Sequence, residues 1–188
     1  MLEKEQRYAV TEEQIIKVLE VTEPSIEKKE MLDVSFYKNG ENLYELYKYI
    51  VRIRQKGERK TLEIKKYKND ETTCLEGSIS LDSIKDAVNF LALMDLTPGI
   101  YLKREREVRK YKSLDIFIDR FDVIGDFVEV EYQGSENALK EITEFRKECG
   151  IDGESEDMYG GIINTKLSTD DEFKKMYKEK MAEVVQSL

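Results

Sequence analysis

Histidine does not occur anywhere in this chain. Its absence removes the commonest general base near neutral pH and the commonest transition-metal ligand. A Ser–His or Cys–His nucleophile is therefore excluded, and a zinc site is not expected. Any chemistry must run on carboxylates, amines, guanidiniums and tyrosines. Cysteine is nearly absent too: Cys74 and Cys149 stand far apart, without the spacing of a disulfide framework or a thiolate metal site. They read as reduced thiols. Proline is confined to Pro24 and Pro98, and no Pro- or Ser-rich run marks a linker. No apolar run reaches the roughly 18 residues of a membrane helix, and the opening Met1-Leu2-Glu3-Lys4-Glu5 does not read as a signal peptide. These absences lead us to expect a single domain over residues 1–188 in a soluble, cytoplasmic protein.

What the chain has in quantity is charge. Of its 188 residues 38% are charged and 40% apolar, enough for a modest core under a polar surface. The net charge of −9 argues against nucleic acid or an anionic membrane as a partner, since either needs a broad positive field. A small molecule is the expected partner, and the surface suits a monomer or a homodimer. A phosphate site would have to be a local concentration of Lys and Arg.

Hydrophobic period and turn residues outline the elements. Residues 2–10 read as a strand, and Thr11 with Gln14 makes a capping box for a helix to about Leu19. Leu32–Tyr37 reads as a strand ending in the turn Lys38-Asn39-Gly40. Tyr49–Arg54 and Thr61–Tyr67 form a hairpin through Gly57, and another strand spans Thr73–Ser80. Ser80 or Asp82 caps a helix with the stripe Ile84, Val88, Leu91 and Met94, and Pro98-Gly99 ends that connection. Strands are expected at 100–109, 114–121 and 127–133. Ser135 opens a helix to Cys149 with Gly150 at its C′ position, and a last helix spans Thr169–Gln186. The class is α+β, mostly antiparallel, with about eight strands, enough to close a barrel.

Residues two apart in a strand share a face. Glu3, Glu5 and Arg7 therefore lie together, as do Arg52 with Arg54, Glu63 with Lys65, Arg104 with Arg106, and Glu129 with Glu131. Apolar neighbours alternate with most of them. Two arrangements fit. One is a half-exposed sheet with cross-strand ion pairs on its wet face. The other packs the apolar face outward against helices and leaves the charged face lining a tunnel. Charges gathered there would be costly unless paired, hydrated or ligated.

Four motifs, in order, resemble the CYTH family of triphosphate tunnel metalloenzymes. Glu3-Lys4-Glu5-Gln6-Arg7 resembles its Glu-x-Glu-x-Lys opening, with Arg for the usual Lys. Val51-Arg52-Ile53-Arg54, followed by Leu62-Glu63-Ile64-Lys65, resembles Leu-Arg-Ile-Arg and Leu-Thr-x-Lys. Arg104-Glu105-Arg106-Glu107-Val108 is similar to Lys-x-Arg-Glu-Val. The block Ile118-Asp119-Arg120-Phe121-Asp122-Val123-Ile124-Gly125-Asp126-Phe127-Val128-Glu129-Val130-Glu131 resembles Leu-Asp-x-Val-x-x-Leu-Gly-x-Phe-x-Glu-x-Glu. The pattern is most similar to the class IV adenylate cyclase-like and thiamine triphosphatase-like branch. It departs where Lys38, after Phe36-Tyr37, stands in place of the Asp that follows a Tyr-Tyr pair in the family, and where Met158 rather than Ser precedes Tyr159.

The resemblance implies an eight-stranded antiparallel β-barrel, the triphosphate tunnel, with helices packed outside. It implies that Arg52, Arg54, Lys65, Arg104 and Arg106 hold the triphosphate. Glu3, Glu5, Glu129 and Glu131, joined by Asp119, would hold Mg2+ or Mn2+. Arg7, Glu129 and Glu131 would serve catalysis. Lys66 and Lys103 are the neighbours that a one-residue slip in register would bring in. The expected activity is metal-dependent hydrolysis of tripolyphosphate, a nucleoside triphosphate such as ATP, or thiamine triphosphate. Adenylate cyclase chemistry is the alternative, and a non-catalytic polyphosphate- or nucleotide-binding module the third. Phosphoryl transfer needs mainly positioning and charge neutralisation, which a site without histidine can supply. The last helix is expected to lid one mouth of the tunnel.

Overall fold

The computed structural model describes residues 3–67, 74–133, 136–156 and 158–187, without the side chains of Glu3, Leu46, Cys74, Gln133 and Glu136. The order is β1 (Glu3–Val10), α1 (Glu12–Val21), β2 (Glu27–Lys38), α2 (Leu43–Tyr47), β3 (Tyr49–Lys56), β4 (Arg59–Tyr67) and β5 (Cys74–Ser80). Then follow α3 (Ile84–Ala92), β6 (Leu96–Tyr111), β7 (Leu114–Phe121), β8 (Gly125–Gln133), α4 (Glu136–Cys149), α5 (Tyr159–Thr169) and α6 (Asp171–Ser187). The class is α+β with eight antiparallel strands, as the sequence leads one to expect. The chain divides into two compact units, Met1–Glu30 with Arg104–Ile162, and Met31–Lys103 with Ile163–Leu188.

In the first unit the strands run in the order β1-β8-β7-β6. One face carries Tyr8, Leu114, Ile116, Ile118, Val128 and Val130, which form a core with Ile15 and Val18 of α1 and Ala138, Ile142, Phe145 and Cys149 of α4. The apolar side of this sheet is thus its helix-covered side, and the alternation sends the charges to the other. The capping box opens α1 as expected: the Gln14 backbone N–H donates to Thr11 Oγ1 at 3.3 Å, and the Thr11 N–H donates to Gln14 Oε1 at 2.9 Å. Gly150 takes φ +68° past the end of α4, the left-handed conformation expected of a C′ glycine.

In the second unit the order is β2-β3-β4-β5. The turn after β2 places Asn39 and Gly40 at φ +52° and +83°, conformations that favour these residue types. Tyr177 of α6 stacks on Tyr101 of β6 at 4.9 Å, donates its hydroxyl proton to the Tyr101 carbonyl at 2.6 Å and accepts the Tyr101 N–H at 2.7 Å. The last helix is therefore docked by a buried polar contact as well as by the burial of Phe173.

Several boundaries differ from expectation. The helices α2 and α5 are not foreseen from the sequence; α2 is too short to show a period, and the glycine pair at 160–161 argues against a helix where α5 forms. β6 begins at Leu96, so Pro98-Gly99 lies inside a strand instead of ending the connection. Ser83, rather than Ser80 or Asp82, caps α3 by accepting the Asp86 N–H at 3.1 Å, and Met94 is exposed. Thr169 belongs to α5, and Asp170 caps α6 by accepting the Phe173 N–H at 2.9 Å. β2 starts five residues early, at Glu27 rather than Leu32. The expected strand start at Thr73 and helix start at Ser135 lie outside the described residues. Among the described residues β1 pairs only with β8, and β5 only with β4, so hydrogen bonding does not close the sheet into a ring. No helix of the described residues is long and apolar enough to cross a membrane.

Candidate active site

The first unit gathers its charges by register. Glu5 lies opposite Glu131 and Arg7 opposite Glu129 in the β1–β8 ladder. Glu129 lies opposite Phe117, and Asp119 opposite Arg106, in the ladders of β7. One sheet face therefore carries Glu5, Arg7, Arg104, Arg106, Asp119, Glu129 and Glu131. Asp119 is fully buried and Glu129 nearly so, at 0% and 3% exposure. Charges this deep persist only when paired.

They are paired several times over. Arg106 forks onto Asp119 with Nε to Oδ1 at 2.6 Å and Nη2 to Oδ2 at 2.5 Å, and Nη2 also donates to Glu129 Oε1 at 3.0 Å. Arg7 donates Nε to Glu129 Oε2 at 2.8 Å and forms an ion pair with Glu5. Arg104 Nε lies 3.3 Å from Asp119 Oδ1, and its guanidinium sits 5.4 Å from the Phe121 ring centre. Tyr159 donates its hydroxyl proton to Asp119 Oδ2 at 3.0 Å, while Arg7 lies over its ring at 5.2 Å. Burial, reinforced by Asp119 and Glu129, holds the Tyr159 phenol well above its ordinary pKa, so it is a donor here at any ordinary pH. Burial alone would lower the pKa of Arg7 and Arg106, but the surrounding carboxylates outweigh it and raise both.

Glu5, Glu129 and Glu131 each bring a carboxylate oxygen within 4.8 Å of the others, close enough to share one cation. Asp119 is not in this group; it is occupied by Arg106, Arg104 and Tyr159. The backbone of Glu3 pairs with that of Gln133, two ladder positions beyond Glu5.

The second unit carries a separate charged face. Arg52 donates Nε to Glu63 Oε2 at 2.8 Å, with Nη2 at 2.7 Å from the same oxygen. Arg54 forks onto Asp33 at 2.6 and 2.9 Å, and the Thr61 hydroxyl donates to Glu63 Oε1 at 3.0 Å. Burial acts to raise the Glu63 pKa, but Arg52 and Arg54 outweigh it and hold it below its ordinary value. The ladder aligns Ile50 with Lys65 and Arg52 with Glu63, which puts Lys65 rather than Lys66 on this face. Lys65 Nζ lies 3.2 Å from Glu76, whereas Lys66 lies over the Tyr49 ring at 5.1 Å. Arg104 likewise shares a face with Arg106, and the exposed Lys103 points the other way.

Sequence reasoning placed no role on Asp33, Thr61 or Tyr159. Asp33 was legible in the alternation Asp33-x-Ser35, since only one face of that strand is apolar at Leu32 and Val34. Tyr159 follows an irregular stretch, and no local pattern brings it to Asp119.

The CYTH domain family model matches residues 1–158. Solved structures with the same fold include a protein of Pyrococcus horikoshii OT3, at TM-score 0.69 and 19% identity over 87% of this chain and 99% of that one. A "putative adenylate cyclase" from Vibrio parahaemolyticus aligns at TM-score 0.65 and 16% identity, over 87% and 98%. A "putative adenylyl cyclase" from Hippeastrum, described as having a dominant triphosphatase activity, aligns at TM-score 0.59 and 16% identity, over 87% and 94%. No curated protein matches the chain. At these identities the structural likeness is one of fold.

Proposed function

The chain belongs to the CYTH domain family, and on that premise we propose that it cleaves a triphosphate with magnesium or manganese, by hydrolysis. The observation that carries this reading is the convergence of exposed Glu5, buried Glu129 and half-buried Glu131 beside Arg7 and Arg106 on one sheet face. Arg7 pairs with Glu5 and Glu129, and Arg106 with Glu129, which offsets part of the repulsion among the three carboxylates; a bound cation would offset the rest. Their donors are all hard oxygens, which suits magnesium or manganese and not a soft metal. When bound, such an ion neutralises phosphoryl charge and polarises the bond to be broken.

The chain's own residues do the rest. Asp119 fixes the plane of Arg106 through two hydrogen bonds, leaving the Nη1 arm to meet a phosphoryl oxygen. Arg104 adds a second guanidinium on the same face. Arg7 stays charged and orients the attacking water rather than taking its proton. That proton goes to a carboxylate, and Glu131, across the ladder from Glu5, has that role. Arg52, Arg54 and Lys65 bind phosphate, each exchanging its carboxylate partner for a phosphoryl oxygen. The net charge of −9 fits a small-molecule substrate and disfavours nucleic acid.

Adenylate cyclase chemistry is the second reading, supported by the descriptions of the Vibrio and Hippeastrum proteins. It requires a ribose hydroxyl held in line with the α-phosphorus. Phosphorus NMR of pure protein with ATP or tripolyphosphate, with Mg2+ or Mn2+, separates the readings. Orthophosphate from either substrate supports hydrolysis, and cyclic AMP with pyrophosphate supports cyclisation. Inertness toward both, and toward thiamine triphosphate, would sink the enzyme reading.

A further inference from the structure

β1 and β5 each have a strand neighbour on one side only, and the chain treats their other edges differently. The edge of β1 is covered: the Arg7 N–H donates to Ser155 Oγ at 3.2 Å, and the Arg7 carbonyl accepts the Glu156 N–H at 2.7 Å. Among the described residues β5 pairs only with β4, and Leu75 through Ser80 are all exposed. Soluble proteins commonly blunt such an edge with lysine, proline or a bulge. β5 reads Cys74-Leu75-Glu76-Gly77-Ser78-Ile79-Ser80, without lysine or proline, and its ladder with β4 runs without a bulge. Its one charge, Glu76, is paired with Lys65.

The chemistry of that edge specifies its partner. The Leu81 N–H donates to the Lys60 carbonyl at 2.9 Å. In an antiparallel ladder, residues bonding to one neighbour alternate with residues facing the other side. Leu75, Gly77 and Ile79 therefore bond toward β4, and the N–H and C=O groups of Glu76, Ser78 and Ser80 face the open edge. Side chains alternate too. Leu75, Gly77 and Ile79 lie opposite Lys66, Ile64 and Leu62, so the exposed Leu75, Ile79 and Ile64 form an apolar stripe reaching the edge. The partner is a strand that supplies backbone hydrogen bonds and continues the stripe. β5 itself meets both needs in one antiparallel register. With Gly77 opposite the same glycine of a second copy, Leu75 faces the partner's Ile79 and Glu76 faces the partner's Ser78. A slip of one residue throws the two apolar sets onto opposite faces. A slip of two sets Glu76 against itself in one direction and Ile79 against Gly77 in the other.

We propose that β5 pairs antiparallel with β5 of a second copy of this chain, about a two-fold axis through Gly77, to make a homodimer. Glu76 and the partner's Ser78 exchange a pair of N–H···O bonds, as do Ser78 and the partner's Glu76. A seven-residue edge is a small interface, so association in the micromolar range is expected. Sedimentation of the full chain from about 10 to 300 μM tests this, and the wild type should pass from monomer to dimer over that range. Ser78→Pro removes an N–H that faces the edge and leaves the bonds to β4 in place. By symmetry it deletes two bonds, and should raise the dimer Kd about tenfold or more. Ile79→Lys, at an exposed position, should do the same. Gly77→Cys, in a Cys74→Ser background, fixes the register. A Cβ at Gly77 meets nothing within 4 Å, and the two thiols would stand across the axis at disulfide distance. Mild oxidation should therefore link Gly77→Cys into a covalent dimer and leave Ser78→Cys, offset along the strands, unlinked. A wild type that stays monomeric overturns the proposal. So does a dimer that Ile79→Lys breaks and a folded Ser78→Pro does not, which would pack face to face. Should Ser78→Pro fail to fold, equal linking of the two cysteine variants overturns the edge pairing by itself.

Discussion

The two charged faces are made by the same device and balanced differently. In the second unit three cations, Arg52, Arg54 and Lys65, meet three carboxylates, Asp33, Glu63 and Glu76. In the first, among the described side chains, Arg7, Arg104 and Arg106 face Glu5, Asp119, Glu129 and Glu131, so these acids outnumber these bases by one. On the proposed reading, the balanced face trades carboxylates for phosphate and the unbalanced one takes a cation. Burial separates them further. The first unit backs its charges with a helix-covered core, whereas the second leaves Ile64, Leu75 and Ile79 at 46%, 63% and 61% exposure. A charge network over a closed core is the more expensive one to break.

The largest expected effect tests that last claim. Asp119→Asn strips a fully buried carboxylate from Arg106, Arg104 and Tyr159, and should cost about 3–5 kcal/mol of stability in denaturant unfolding. Asp33→Asn in the second unit should cost less, about 1.5–3 kcal/mol, because Arg54 is half-buried and has Glu63 within 3.5 Å. Equal costs would break the comparison. Next comes the difference in what each face does. Glu129→Gln should lower kcat about 100-fold or more even at saturating metal, by removing charge from the cation position while keeping shape. Arg52→Ala should act mainly on KM, raising it by the equivalent of about 1.5–3 kcal/mol. If Arg52→Ala lowers kcat as much as Glu129→Gln does, the division into a metal face and a phosphate-gripping face is wrong.

Much of this was legible in the sequence because strand alternation is a short-range code. The period-2 pattern alone puts Glu129 and Glu131 on one face and Val128 and Val130 on the other, and the ladders agree. Alternation groups Lys65 with Glu63, but with two adjacent lysines only the pairing with β3 fixes the register that sets Lys65 on the face of Arg52. The partners of the arginines were harder still. Asp33 meets Arg54 and Tyr159 meets Asp119 across 21 and 40 residues, contacts set by topology and not by any local spacing. The strand at Pro98-Gly99 was missed for a related reason. Gly99 there makes room for Tyr37, a distant ring, and does not terminate an element.

The smallest expected effect is one of pH, and it isolates the balanced face. Arg52 and Arg54 hold Glu63 below its ordinary pKa of 4.5, overcoming the burial that would raise it. A carboxylate with a depressed folded-state pKa stabilises fully above its unfolded value and loses that contribution as pH falls through the folded one. Thermal midpoints of the wild type should therefore fall as pH drops below 4.5. Glu63→Gln removes the titration and should flatten part of that fall, at the cost of lower stability at neutral pH. Every other carboxylate is common to both proteins, so the difference between the two curves belongs to Glu63. Parallel curves would mean that the guanidiniums near Glu63 contribute geometry without stabilising its charge, and the exchange of carboxylate for phosphate would then need no compensation on this face.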